Sequence, residues 1–275
     1  MILDSHLHLW ELGREECSWP TAAEAPIHRD YGLSDLAATL RGSGVKSAIL
    51  VQSQEHDSDT QWLLEQAGHS PLICGVVGWC DLEAADAGER IAELASRPKL
   101  VGLRPMVQHR QSDYFDRLQL VPAFRAMVEH NLVLDGLVRV PHLPALHRLA
   151  ARMPELTIVI DHAGKPDIVL DDGFARWRAS IGLLADLPNV VCKVSGLLTE
   201  CGQRPHEAVA PYFSELLSLF GPERLMWGSD WPVVEMASDY PAWLDLARSL
   251  IPIGAHDEVF AGTAAETYGV SGLAH

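Results

Sequence analysis

Apolar residues fall along this chain in short, nearly unbroken runs, and most runs are followed by a stretch with helical spacing. Runs at 2–9 (ILDSHLHL), 46–52, 72–79 (LICGVVGW), 99–104 (KLVGLR), 132–138 (LVLDGLV), 157–161 (TIVID), 189–195 (NVVCKVS) and 224–229 (RLMWGS) read as eight strands. Helical patterns cover 34–42, 58–68, 83–96, 120–130, 143–152, 173–186, 206–220, 240–250 and 256–268. Strands that are apolar throughout, rather than at alternate positions, suit a parallel sheet buried on both faces. Eight such units in about 250 residues predict a single α/β domain over 1–275, a (β/α)8 TIM barrel with a C-terminal helical extension. An open doubly wound sheet would want a Gly-rich phosphate turn after its first strand; His6-Leu7-His8 stands there instead. The loop at 10–31 carries Trp10, Trp19, Pro20, Pro26 and Tyr31, and is expected to cover the barrel mouth.

Composition narrows the partners. The 275 residues include 37 acidic and 21 basic side chains, a formal charge of −16, which argues against nucleic acid and anionic membranes. A small substrate is still allowed, since a pocket's local field can differ from the mean. No apolar run approaches the length of a membrane span. MILDSHLHLW lacks the basic start of a signal peptide. The five cysteines are odd in number and form no CxxC, so buried thiols in a reducing cytoplasm are expected.

A barrel of this kind carries its chemistry at the C-terminal ends of its strands. The polar residues predicted there are His6 and His8, Gln52, Trp79 and Asp81, Arg104, His162, Ser195 and Asp230. His6 and His8 are two apart, so both imidazoles point to one face. A pair of neutral imidazoles on one strand is a ready zinc site; for an isolated HxH, two core histidines is the commoner outcome. Convergence with His162 and Asp230 favours a functional site. Asp230 can bind a metal or act as general base; its bland reading is a turn aspartate before Pro232. His162 can ligate or donate to an oxyanion. Arg104, Gln52, Trp79, Gln108 and Ser195 are candidates for holding a polyhydroxylated substrate, with Gln54, Trp10 and Trp231 nearby. Lys193 shares a face with Val191 and Ser195, and is expected to be buried against a carboxylate such as Asp4 or Asp135. No G-x-S-x-G elbow surrounds Ser195, so it is not a serine-hydrolase nucleophile.

DSHLHLW, GLRPMVQ, VIDHAGKP, VVCKVSGL and LMWGSDWP, in this order over nearly the whole chain, resemble the amidohydrolase superfamily, specifically its sugar-lactonase branch. The resemblance implies a hydrolase that opens an aldono-1,4- or 1,5-lactone to the free acid. It carries the strand-one pair onto His6 and His8, the strand-six histidine onto His162 and the strand-eight aspartate onto Asp230. Two departures bear on metal. Lys99 opens strand four and Arg104 closes it, so no bridging lysine is available. Strand five has no histidine; His142 lies beyond it. One divalent ion, zinc for instance, is therefore expected at most, on His6, His8 and Asp230 with His162 as a further ligand, and some lactonases of this kind work without metal. No organic cofactor is implied. Decarboxylation, lactone isomerisation and plain sugar-acid binding remain as alternatives, and neither the sugar nor the oligomeric state is fixed.

Overall fold

In the computed structural model, which describes residues 1–170 and 172–270, the apolar runs become eight parallel strands. They are β1 (Ile2–Leu7), β2 (Val45–Val51), β3 (Ile73–Gly78), β4 (Leu100–Leu103), β5 (Val133–Gly136), β6 (Ile158–Ile160), β7 (Val190–Val194) and β8 (Leu225–Trp227). Each pairs with the next in sequence. The barrel closes just beyond β8, where the Asp230 amide donates to the His6 carbonyl (2.8 Å) and the His8 amide to the Trp231 carbonyl (2.7 Å). Helices α1 (Leu33–Thr39), α2 (Asp57–His69), α3 (Ala87–Ala95), α4 (Val121–Glu129), α5 (Leu143–Arg152), α6 (Gly173–Ala185), α7 (Ala210–Phe220) and α8 (Tyr240–Leu250) supply the outer layer. This is the predicted (β/α)8 barrel. Most strands are shorter than the apolar runs, because the run ends leave the ladder to enter loops.

The lumen is layered. Leu3, Ile49, Val51, Val77, Val133, Val159, Val191 and Met226 form an apolar floor. A register irregularity between Asp4 and Leu7 lets Leu3 and His6, three apart, both face inward, while Leu7 and Leu9 pack outward under the helices. The floor is sealed by the C-terminal extension. A π-helical turn at Glu258–Gly262 runs into α9 (Thr263–Thr267) and presses Ala261, Ala264 and Tyr268 against it.

The loop at 10–31 is pinned at several points. Trp10 and Tyr31 exchange backbone bonds of 3.1 and 2.9 Å. The Gln54 side chain accepts from the Ser18 amide (2.9 Å) and donates to the Trp19 carbonyl (2.7 Å). Glu235 accepts from the Tyr31 hydroxyl (2.6 Å) and the Trp231 indole (2.8 Å). The five cysteines are unpaired. No helix among the described residues is long and apolar enough to cross a membrane.

At the end of β3 one hydroxyl completes the backbone of Trp79. Thr60 Oγ1, on α2, accepts from the Trp79 amide (2.7 Å) and donates to its carbonyl (3.0 Å). Thr60→Val keeps the shape and removes both bonds. It is expected to cost about 1–3 kcal/mol in urea unfolding, as for a buried polar group left unpaired, without a change in KM.

Candidate active site

Four side chains converge at the C-terminal end of the barrel. Asp230 Oδ1 lies 3.2 Å from His8 Nε2, 3.7 Å from His6 Nε2 and 3.9 Å from His162 Nε2. All four are buried, and Asp230, His8 and His162 line a cavity of ≈ 370 Å³ with Arg104, Gln108 and Trp19. The chain reaches this geometry through unusual backbone. His162, Ala163, Gly164 and Lys165 have φ of 52°, 53°, 71° and 48°, four successive residues in the left-handed region. Left-handed residues other than glycine cost roughly 1–2 kcal/mol each. The turn is held by the buried Trp177 indole, which donates to the Ala163 carbonyl (2.7 Å). Asp230 also has a positive φ, 57°. Strain of this kind gathers where a side chain must be aimed.

Hydrogen bonds orient each ring. His8 Nδ1 donates to the Val51 carbonyl (2.8 Å). Its Nε2 then presents a lone pair to a carboxylate oxygen, an arrangement that asks for a proton or a cation between them. His162 Nδ1 is 2.8 Å from Ser195 Oγ. Burial drives His162 and His6 well below the usual histidine range, so both are neutral at pH 7; Asp230 opposes this for His162, and Asp161 for His6. Burial pushes Asp230 up, but His162 and His8 outweigh it and the carboxyl ends below its ordinary value, ionised at pH 7.

Beneath this layer lies a charged one. Lys193 Nζ, on β7, meets Asp135 Oδ2 of β5 at 2.5 Å and Asp161 Oδ1 at 3.1 Å, all three fully buried. Arg104 Nη1 lies 3.3 Å from Asp161 Oδ2, and Nη2 donates to the Gln52 carbonyl. Burial raises Asp161, yet Lys193, His6 and Arg104 together hold it well below the carboxylate range. Burial also raises Asp135, to about 6, against the pull of Lys193.

The donor set suits one metal ion. Ligands held tetrahedrally at about 2.0–2.1 Å stand roughly 3.3 Å apart, close to the 3.2 Å between His8 Nε2 and Asp230 Oδ1 and shorter than the 3.7 Å to His6 Nε2. His6, His8 and Asp230 offer three ligand atoms within reach of one another. His6, Asp161 and His162 form a second such group. There the Lys193 ammonium and the Arg104 guanidinium already face Asp161, so the positive charge is supplied by side chains.

The residues read from sequence separate into three groups. His6, His8, His162, Asp230 and Arg104 are brought together, and Gln108 lines the same cavity. Gln52 and Ser195 sit behind it: Gln52 donates to the Arg104 carbonyl (2.8 Å) and Ser195 bonds His162, so each acts through its neighbour. Trp79 does not join them. It lines a separate small depression with Cys80, Asp81 and Tyr114. Trp10 and Trp231 are fully buried behind the loop, and Trp19 lines the cavity in their place. His142 faces the Arg139 and Arg110 carbonyls, away from the site. Lys193 has the carboxylate partner expected, Asp135, while Asp4 instead accepts from the Ser229 amide (2.8 Å) and the Tyr240 hydroxyl (2.9 Å). Asp161 was not singled out, though VIDHAGKP contains it; its signal was a position two beyond the inward Val159. Lys165 was also missed. It lines the cavity with Arg139, and both face Glu200, at 3.0 and 3.8 Å.

A barrel with two histidines ending β1, a histidine after β6 and an aspartate after β8 defines a hydrolase-type site of the amidohydrolase class. The chain belongs to the amidohydrolase family, which matches residues 3–270. It is 43% identical to an L-fucono-1,5-lactonase of Burkholderia ambifaria over 97% of this chain and 94% of that one. It is 34% identical to an L-fucono-1,5-lactonase of Burkholderia multivorans, over 97% and 95% respectively. A crystal structure of a zinc-bound amidohydrolase from Burkholderia multivorans superposes with a TM-score of 0.90 at 33% identity, covering 98% of this chain and all of that one.

Gly196, next to Ser195, has φ 60°, and a Cβ there would stand 2.6 Å from His162 Nδ1 and 3.1 Å from Asp230 Oδ2. Gly196→Ala is expected to displace one of the two by about an ångström. Turnover should fall at least about 10²-fold, with an unchanged far-UV circular dichroism spectrum.

Proposed function

We propose that this protein hydrolyses the ester of an aldonolactone to the free sugar acid. The observation that carries the reading is one ionised carboxylate, Asp230, within 3.9 Å of three imidazoles on the wall of a cavity large enough for a monosaccharide lactone. Its similarity to two L-fucono-1,5-lactonases supports the substrate class.

A lactone is already an activated acyl group, so hydrolysis needs a deprotonated water and a home for one tetrahedral oxyanion. Asp230 takes the water proton, and its depressed pKa keeps it ready as base at neutral pH. With Ser195 donating to Nδ1, His162 carries its proton on Nε2 and offers it to the developing oxyanion; such a donor contributes about 3 kcal/mol. As the tetrahedral intermediate collapses, the proton on Asp230 passes to the ring oxygen, which leaves as the hydroxyl of the open acid. Gln108, Arg139 and Lys165 present donors to the sugar hydroxyls from the cavity wall. Arg104 is bound to Asp161 and to the Gln52 carbonyl, so it shapes the floor as well as meeting substrate. One divalent ion would be held by His8, Asp230 and His6, with His162 beside it; when bound it supplies Lewis-acid polarisation of the carbonyl and acidifies water.

A panel of aldonolactones with a pH indicator tests the reading, since each turnover releases one acid. Failure to acidify any aldono-1,4- or 1,5-lactone would refute it. Asp230→Asn should keep the fold and lose at least about 10³ in kcat; a tenth of wild-type kcat remaining would remove Asp230 as base. Zinc titration of the stripped protein should saturate at no more than one ion per chain, by elemental analysis, because side-chain cations already serve the second group.

A further inference from the structure

Three successive loops, after β5, β6 and β7, meet at one carboxylate. Arg139 follows β5, Lys165 ends the left-handed turn after β6, and Glu200 lies in the short helical turn Leu198–Glu200 after β7. Glu200 Oε1 accepts from Lys165 Nζ at 3.0 Å, and Oε2 stands 3.8 Å from Arg139 Nη1. The two cations line the cavity that holds Asp230; Glu200 does not. It lines a neighbouring cavity of ≈ 440 Å³ on the other side of Lys165, which belongs to both walls. Glu200 therefore reaches the cations from behind. Its side chain is only 14% exposed, so water and salt screen the contact poorly.

The charges around the site can be matched one by one. Arg104 and Lys193 are answered by Asp161 and Asp135. Asp230 answers one of the two remaining cations, Arg139 and Lys165. Without Glu200 the cavity would carry an unmatched positive charge; with it, the fixed charges balance. That balance bears on the two ligands of the proposed reaction. A lactone is neutral, and the aldonate it gives carries one negative charge. An excess cation would favour the aldonate and hold the product in the site.

We propose that Glu200 is a specificity-determining residue: it cancels one cation of the cavity wall from outside the cavity, so that the site takes a neutral lactone and releases the anionic acid. The proposal deepens the lactonase reading and rests on it for the identity of the ligands. The same contact also ties three loops together, but that structural role would act on neutral and anionic ligands alike.

Glu200→Gln keeps the shape of the side chain and removes its charge. The aldonolactone turned over fastest serves as neutral ligand and its own aldonate as competitive inhibitor, with both proteins at the same metal content. In the variant the Ki of the aldonate should fall at least about fivefold, the order expected for one unit charge removed behind a part-buried wall, while KM for the lactone changes less than about twofold. In about 1 M NaCl, where charges act only within about 3 Å, most of that gain should vanish. An unchanged ratio of Ki to KM overturns the proposal. So does a joint rise of both, the mark of loosened loops, or a gain that salt leaves intact. Should the variant not fold, the wild-type protein decides. Balanced charges predict an aldonate Ki that weakens less than about threefold between about 0.05 and about 0.5 M NaCl, and a steep weakening overturns the proposal. If no lactone is turned over, calorimetry with D-glucarate, an acyclic sugar dianion, separates the two readings. Tighter binding to the variant than to wild type then upholds the charge balance and sinks the lactonase reading alone; equal binding, or none, sinks both.

Discussion

Everything at this site depends on the joint where the barrel closes. β1 and the segment after β8 are separated by 222 residues at His8 and Asp230, yet they share backbone hydrogen bonds through His6 and Trp231. Those bonds fix the heights of three functional residues relative to one another to within the play of a peptide hydrogen bond. Asp4 adds a side-chain clasp by accepting from the Ser229 amide, and Tyr240 completes it from the outer layer. The Asp230 carboxylate is therefore held by the main chain, with only its short side chain free to turn.

The layered lumen sets the chemistry above it. Side-chain charges placed in a barrel core would be costly if isolated. Here Asp135, Lys193, Asp161 and Arg104 neutralise one another in sequence, and the apolar floor below them excludes water. The stack places fixed charges directly beneath the imidazoles.

Much of this was legible in the sequence because a parallel barrel writes its burial into continuous apolar runs, and strand ends then locate the chemistry. His6, His8, His162 and Asp230 could be placed in that way. Trp79 could not: parity from Val77 points it inward, but Thr60 fixes its backbone at the strand end and the ring lies in another depression. The cavity walls contributed by Trp19, Lys165 and Arg139 belong to loops, whose paths follow no periodicity. Lys165 in particular depends on a left-handed turn that no hydrophobic pattern announces. Ser195 and Gln52 stand at the expected strand ends but behind His162 and Arg104, since spacing along a strand gives height and not depth behind a neighbour.

The closing joint also has a consequence in time. A ribosome adds about 5–20 residues per second, so roughly 10–45 s separate the emergence of His8 from that of Asp230. During that interval β1 can pair with β2, but its other edge has no partner and His8 no carboxylate. Lys193 likewise emerges after Asp135 and Asp161 but well before Tyr268, the residue that seals Asp135 from below. The nascent chain thus carries an open strand edge until Trp231 is made, and an Asp135 unsealed from below until Tyr268 is made. Shielding that edge during synthesis is a demand this architecture places on the cell, and it comes from the same long-range closure that makes the finished site rigid.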